Sequence, residues 1–371
     1  MSSSVPPTVG IPADDGGPRL ARPRHRRGLV AAVSGVATLL LAGIVWAVPV
    51  PYVVEIPGPV YNTLGTDNGK DIISIKGRET YAAKGALDLT TVYLEGGPNS
   101  TVNLLGLIRS ALDPSLSIMP VDALYPKGTS KQTVSQENTA EMQSSQDNAV
   151  AAALKSLSIP FGQQVKIASL ISGSASEGKL QPGDTILTVA GQKADSLATV
   201  QKLVAASQGK PLAVGFQRGG VDQTVEITPK DAGQGRYLLG FTVTYAFTFP
   251  FTVDFALDAV GGPSAGMMFA LGIIDKLTPG DLTQGRQIAG TGTIEPDGTV
   301  GAIGGIVQKM EGAKGHGATL FLAPAGNCGE VVGHIPDGLA VVRVDTLDTA
   351  RRAVEAYAQG TDPGKLPQCT K

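Results

Sequence analysis

Two short segments of this 371-residue chain carry the residue types of nucleophilic catalysis. The first is Gly261-Gly-Pro-Ser264-Ala-Gly266, which opens the almost wholly apolar run MMFALGII. A helix that is hydrophobic all round is a buried helix, and Pro263 suits its first turn because the missing N–H is not needed there. Ser264 is then expected at the helix N-terminus, where free backbone N–H groups and the dipole stabilise an oxyanion. Taken alone, the segment reads more simply as the start of a core helix. The second segment is Ile306-Val-Gln-Lys309-Met-Glu-Gly-Ala-Lys. Ile306, Met310 and Ala313 mark an apolar helical stripe, and Lys309 flanks it. Desolvation disfavours an ammonium and lowers its pKa, as a lysine acting as a general base near neutral pH requires. A surface lysine lying along its own stem fits the same spacing.

The elements that must position these residues follow from patterning. Val53 to Leu94 alternates β-type runs (YVVEI, DIISI, LDLTTVYL) with Gly and Pro, as strands joined by turns do. Glu137 to Leu157 reads as a helix, with Ala149, Val150, Ala153, Leu154 and Leu157 on one buried face. Val165 to Thr228 forms a self-contained block: strand VKIASLI, the turn-containing Ser174-Ala-Ser-Glu-Gly-Lys-Leu-Gln-Pro-Gly-Asp184, strand residues Ile186 and Val189, a helix around Leu197 to Ala206, then LAVGF and TVEIT. That order resembles a PDZ domain, whose members bind extended peptides by adding a strand to an open sheet edge. The loop Ile159 to Gly162 is the candidate for the carboxylate end of such a groove, or a plain linker. FTFPFTVDFALDAV reads as further strands, and Ala289 to Ile294 with Asp297 to Gly305 as a strand and hairpin leading into the Lys309 helix.

Composition bounds the rest. The chain is 42% hydrophobic and 17% charged, enough for about two domains with real cores. A formal net charge of −2 gives no sign of a nucleic-acid partner. Five of the 30 basic residues fall within residues 1–28, a Pro- and Ser-rich stretch expected to be a cytoplasmic basic tail. Residues 29–50 follow without a charge, a length that fits one bilayer span, and the basic cluster places the N-terminus inside. Trp46 and Tyr52 suit the outer interface, and a cleaved signal peptide is the competing reading. The two cysteines, Cys328 and Cys369, fall on the outer side, where a disulfide is permitted and two free thiols are the alternative. No H-E-x-x-H or C-x-x-C occurs, so no metal is expected. None of the four Gly-Lys pairs, at Lys70, Lys179, Lys210 and Lys365, precedes Ser or Thr, so the chain has no ATP-binding P-loop and no cofactor is expected.

GPSAG, Thr291-Gly292, Gly304-Gly305-x-x-x-Lys309 and Pro324-x-x-Asn327 together resemble the catalytic segments of the Lon-type serine peptidases. Glu141-Met-Gln-Ser-Ser145 and AVAAALKSL are similar to the helix in the N-terminal half of that peptidase domain. The resemblance implies Ser264 as nucleophile, Lys309 as general base and proton donor to the leaving amine, Thr291 as the group that orients the lysine, and the backbone at Gly262 and Ala265 as oxyanion hole. The fold class it implies is α+β: a peptidase domain in two parts, residues 51–160 and 233–360, interrupted by a PDZ domain at 161–232 and ending in a tail at 361–371. With the span, the arrangement is similar to membrane-anchored, PDZ-containing Lon-like proteases. The expected activity is ATP-independent cleavage of unfolded, membrane or envelope proteins by an extracytoplasmic domain whose PDZ part takes peptide tails. Ring-shaped homo-oligomers, a hexamer foremost, are implied as well. A PDZ scaffold or holdase with an inactive peptidase domain is the alternative.

Overall fold

The computed structural model describes residues 24–98, 100–257 and 260–370, so most of the expected 1–28 tail lies outside the described residues. Helix α1 (Arg24–Ala47) includes the apolar, solvent-exposed stretch Gly28–Trp46, with mean hydropathy 2.3. It stops short of the expected residue 50 because Pro49 cannot continue it. The chain passes instead into β1 (Pro49–Val50) and the long β2 (Tyr52–Asn62). Next come β3 (Ala86–Glu95), β4 (Val102–Asn103), the short helix α2 (Leu104–Ala111) and β5 (Ser117–Pro120). Helix α3 (Lys131–Ser156) begins six residues before Glu137, because Ser130 caps it by accepting the Thr133 N–H at 3.1 Å.

The insert follows. Its strands are β6 (Gly162–Leu170), β7 (Thr185–Val189), β8 (Leu212–Arg218), β9 (Val221–Ile227) and β10 (Phe241–Thr248), and helix α4 (Leu197–Ala206) lies between β7 and β8. The sheet order is β9-β8-β7-β6-β10. Val165, Ile186, Val189, Leu203, Val214 and Phe216 form a core separate from the rest of the molecule. The insert's sheet therefore extends past the expected limit of residue 232. Phe241, Val243 and Tyr245 alternate inward along β10 and pack on that core, which assigns the strand to the insert and not to the catalytic half. Gly162 pairs with Thr248, and the rings of Phe161, Phe247 and Phe249 cluster at the crossing with centroids 5.3–6.1 Å apart.

After the insert come helix α5 (Gly266–Leu277), β11 (Gln287–Gly290), the hairpin of β12 (Thr293–Ile294) and β13 (Val300–Gly301), helix α6 (Ile306–Gly315), β14 (Leu320–Pro324), β15 (Ala340–Val344) and helix α7 (Leu347–Ala358). Both outer parts of the chain build one six-stranded sheet, β15-β14-β11-β3-β2-β5, parallel from β15 to β3 and antiparallel beyond. Period-two alternation decides its faces. Leu87, Leu89, Ile288, Leu320, Leu322 and Val342 point to the core that holds α3, α5 and α7, whereas Ala289, Phe321, Ala323 and Val341 point to α6. The fold is α+β, with the β6–β10 unit inserted between the two parts that build the six-stranded sheet.

Candidate active site

Lys309 owes its position to how α6 begins. The side chain of Asn327, itself 1% exposed, accepts the Ile303 N–H at 2.9 Å and donates to the Ile303 carbonyl at 2.8 Å, which fixes the loop ahead of the helix. One turn in, the whole of Lys309 is buried at 2% exposure, deeper than a flanking position suggested. Its Nζ donates to Ser264 Oγ at 2.8 Å and to Thr291 Oγ1 at 3.1 Å. Burial lowers its pKa to about 8, and the negative charge of Glu55 opposes that shift. Lys309, with two hydroxyl partners and no ion pair among the described residues, has a minor but accessible neutral fraction near physiological pH, and in that form it can take a proton from one of them.

Ser264 approaches from the other side. It was expected inside the first turn of the apolar helix, but α5 starts at Gly266, with Ala265 as N-cap. The physical reason is competition for the Ser264 carbonyl. That oxygen accepts the Gly292 N–H at 2.8 Å and the Thr291 hydroxyl at 3.0 Å, so it is already held by the loop after β11. Thr291, fully buried, therefore holds the backbone of the serine and the side chain of the lysine together. Gly266 is needed for close approach, since a Cβ there would meet Ile294 and Ser145 at 2.7 and 2.8 Å.

Helix α3 supplies groups to which sequence reasoning gave no part in the site. Ser145 donates to the Pro263 carbonyl at 2.8 Å, Asn148 to the Ile294 carbonyl at 3.2 Å, and the Asn138 carbonyl accepts the Gly262 N–H at 3.1 Å. The available signal was polar residues on the stripe that also carries Met142 and Ala149. The Asn138 bond also corrects an expectation: the Gly262 N–H is directed to α3 and not into the cleft. Gly262 instead provides a left-handed turn, φ +81°. The Ala265 N–H has no acceptor among the described residues.

The cleft at Ser264 and Lys309 is a cavity of about 180 Å³ lined by Pro59, Tyr61, Val92, Tyr93 and Val260. Glu55 lies on β2 close to the start of α6, 7% exposed, and burial raises its pKa against the pull of Lys309. In the insert, the free edge of β10 and the N-terminal turn of α4 bound a groove of about 730 Å³ whose far wall is Glu295 to Asp297 and Asn148. The Ile159 to Gly162 loop sits at the Thr248 end of β10, where it forms the crossing into the insert. Among the described residues no cluster of three His, Cys, Asp or Glu is arranged to hold a metal. Cys328 and Cys369 are joined as a disulfide that ties the C-terminal tail to the catalytic part.

Part of the chain is similar to the PDZ domain of the SdrC-like protein of Listeria monocytogenes, at 17% identity over 21% of this chain and 85% of that one, TM-score 0.20. It is also similar to the PDZ domain of the SdrC-like protein of Listeria innocua, at 18% identity over 22% and 92%, TM-score 0.21. Residues 258–354 match the family described as the Lon protease (S16) C-terminal proteolytic domain, a span that takes in Ser264, Thr291 and Lys309. Residues 258–354 are thus a Lon-type proteolytic domain, in a chain that also carries a PDZ-like insert and, among the described residues, one helix long and apolar enough to cross a membrane.

Proposed function

We propose that the protein is a membrane-anchored serine endopeptidase that works without ATP through a Ser264–Lys309 dyad. The observation that carries this is the 2.8 Å contact between Lys309 Nζ and Ser264 Oγ in a site where burial favours the neutral amine. In its neutral form Lys309 takes the Ser264 proton as Oγ attacks the scissile carbonyl, and the resulting ammonium protonates the leaving amine. Water then hydrolyses the acyl-enzyme, with the amine again as base. Thr291 keeps Nζ on the serine, and the Ala265 N–H stabilises the oxyanion.

The small cleft suits one side chain of an extended peptide, so flexible segments are cut and compact domains left intact. The free edge of β10 takes the substrate's tail as an added strand. Helix α1 anchors the protein, with the Arg-rich N-terminus cytoplasmic and the catalytic part outside; the disulfide favours the same sidedness, because disulfides persist in oxidising compartments. A homo-oligomeric ring, a hexamer foremost, is part of the same proposal and rests on the family resemblance.

The test uses the full chain in detergent beside Ser264→Ala and Lys309→Ala variants, incubated without ATP with an unfolded protein and read by mass spectrometry. Fragments from the wild type alone support the dyad. No fragments from any of the three, with folding verified, overturn it in favour of an inactive scaffold.

A further inference from the structure

Helix α2 has an apolar face that the fold leaves uncovered. None of its eight residues is fully buried. Leu105, Ile108 and Leu112 are 42, 48 and 81% exposed. They recur at i, i+3 and i+7, so they share one narrow stripe, and Arg109 stands beside it. Large apolar side chains in this arrangement need a cover that the described residues do not provide.

The topology places this stripe beside the outer end of α1. Two residues after α1 ends, β1 pairs antiparallel with β4, with Pro49 opposite Asn103 and Val50 opposite Val102. Asn103 is the N-cap of α2, accepting the Gly106 N–H at 2.7 Å. The chain leaving α1 is thus hydrogen-bonded to the residue that starts α2, and the two helices touch. On the other side of the exit, the Val121 N–H donates to the Pro51 carbonyl at 3.1 Å, and Tyr52 and Leu124 add exposed apolar surface.

We infer that α2 is a membrane footing: the Leu105, Ile108 and Leu112 face rests in the headgroup and acyl boundary of the bilayer that α1 crosses. The inference rests on the reading of α1 as a span. A three-side-chain stripe is far smaller than the roughly 800 Å² per partner of a stable protein interface, whereas an amphipathic helix beside an anchor needs no more. Arg109 at its margin suits anionic headgroups. One consequence concerns the cleft. β2 runs from Tyr52 at the exit to Pro59 and Tyr61 in the cavity, roughly 25 Å at strand rise. With a second foot beside α1 the catalytic part cannot swivel freely, so Ser264 is held close to the bilayer and faces juxtamembrane segments.

The single tryptophan, Trp46, makes the test direct. The full chain is reconstituted into vesicles of equal parts phosphatidylcholine and phosphatidylglycerol, with or without bromine on the acyl chains, as wild type, as Trp46→Phe/Leu112→Trp, and as Trp46→Phe/Val221→Trp. Val221 is exposed on the β8–β9 hairpin of the insert, outside α1 and α2, and serves as the control. Brominated lipid is expected to cut the emission of the Leu112→Trp chain about twofold, as it does for wild type, and to leave the Val221→Trp chain unchanged. Quenching of wild type without quenching at position 112 overturns the footing and leaves the anchor standing. If position 112 is then also shielded from aqueous acrylamide, a second copy covers the stripe instead. An unquenched wild type removes the span and the footing together.

Discussion

The molecule contains two polar clusters built on opposite principles, one in each unit. In the insert, the buried carboxylate of Asp184 accepts Arg218 Nε at 2.8 Å, its terminal nitrogen at 2.6 Å and the Gln181 N–H at 2.8 Å. Burial pushes the Asp184 pKa up, but the guanidinium and the backbone donor outweigh it and hold it below the usual range. In the peptidase unit, Lys309 is buried as deeply and is given only two hydroxyls. The saturated pair fixes a turn and does no chemistry. The deprived cation keeps its proton only at a cost, which suits it to the base role proposed for it. Pairing, more than burial, separates a structural ion from a reactive one.

The largest effect expected from breaking this contrast comes from Lys309→Met. Peptide cleavage should fall at least about 1,000-fold, while the midpoint of thermal unfolding rises. The folded-state pKa of about 8 lies below the usual 10.5, so the native state carries an ammonium penalty at pH below 8 that disappears above 10.5. Removing it is worth up to about 3 kcal/mol, seen in denaturant titrations at pH 7 and lost at high pH.

Asp275 tests whether a poorly paired buried ion is enough for reactivity. It lies at the end of α5 away from Ser264, with Oδ1 accepting the Leu282 N–H at 2.9 Å and Oδ2 without a hydrogen-bond partner among the described residues. Burial raises its pKa to about 6. Because that value lies above the unfolded 3.8, the charged form is penalised above pH 6 and the penalty vanishes as pH falls toward 4. Asp275→Asn should therefore add about 2 kcal/mol at pH 8 and almost nothing at pH 4, by chemical denaturation, with cleavage unchanged. Smaller still, Asp184→Ala should cost the insert about 1–2 kcal/mol through the orphaned Gln181 N–H, read by hydrogen exchange confined to residues 162–248. Cleavage of a short peptide without a tail should persist. Glu55→Gln is the finest probe. It removes a charge that favours the Lys309 ammonium, so the pH–activity curve should move to lower pH and activity at pH 7 should rise about twofold.

Most of the architecture could be read from local pattern, because helix α4 and the strands around it are bounded by Gly, Pro and capping residues. The chemical residues were visible for a similar reason: GPSAG and GGIVQK are contiguous. Features that depend on nonlocal competition were not visible. Nothing near Ser264 in sequence indicates that its carbonyl is taken by Thr291 and Gly292, so the helix start was placed at Pro263, three residues early. The Gly262 N–H likewise looked free because its acceptor, Asn138, is more than a hundred residues away. β10 was assigned to the wrong unit although its alternation was plain, since alternation marks a strand without naming the sheet it joins. Glu55 gave no signal at all, being one carboxylate in an ordinary β run.

The pairing of Gly162 with Thr248 has a consequence beyond the placement of β10. The insert leaves and rejoins its host at two points about 5 Å apart. To the peptidase sheet, all of residues 162–248 is one surface loop closed at its base, with a core of its own. Such a unit can be excised, swapped or doubled without rethreading the host strands, provided the cut falls at the Phe161 and Phe249 crossing. A deletion ending at Thr228 would strand β10 without a partner and expose an apolar edge. The joint thus marks where recombination can exchange the whole inserted unit while the strands that hold Ser264, Thr291 and Lys309 stay intact.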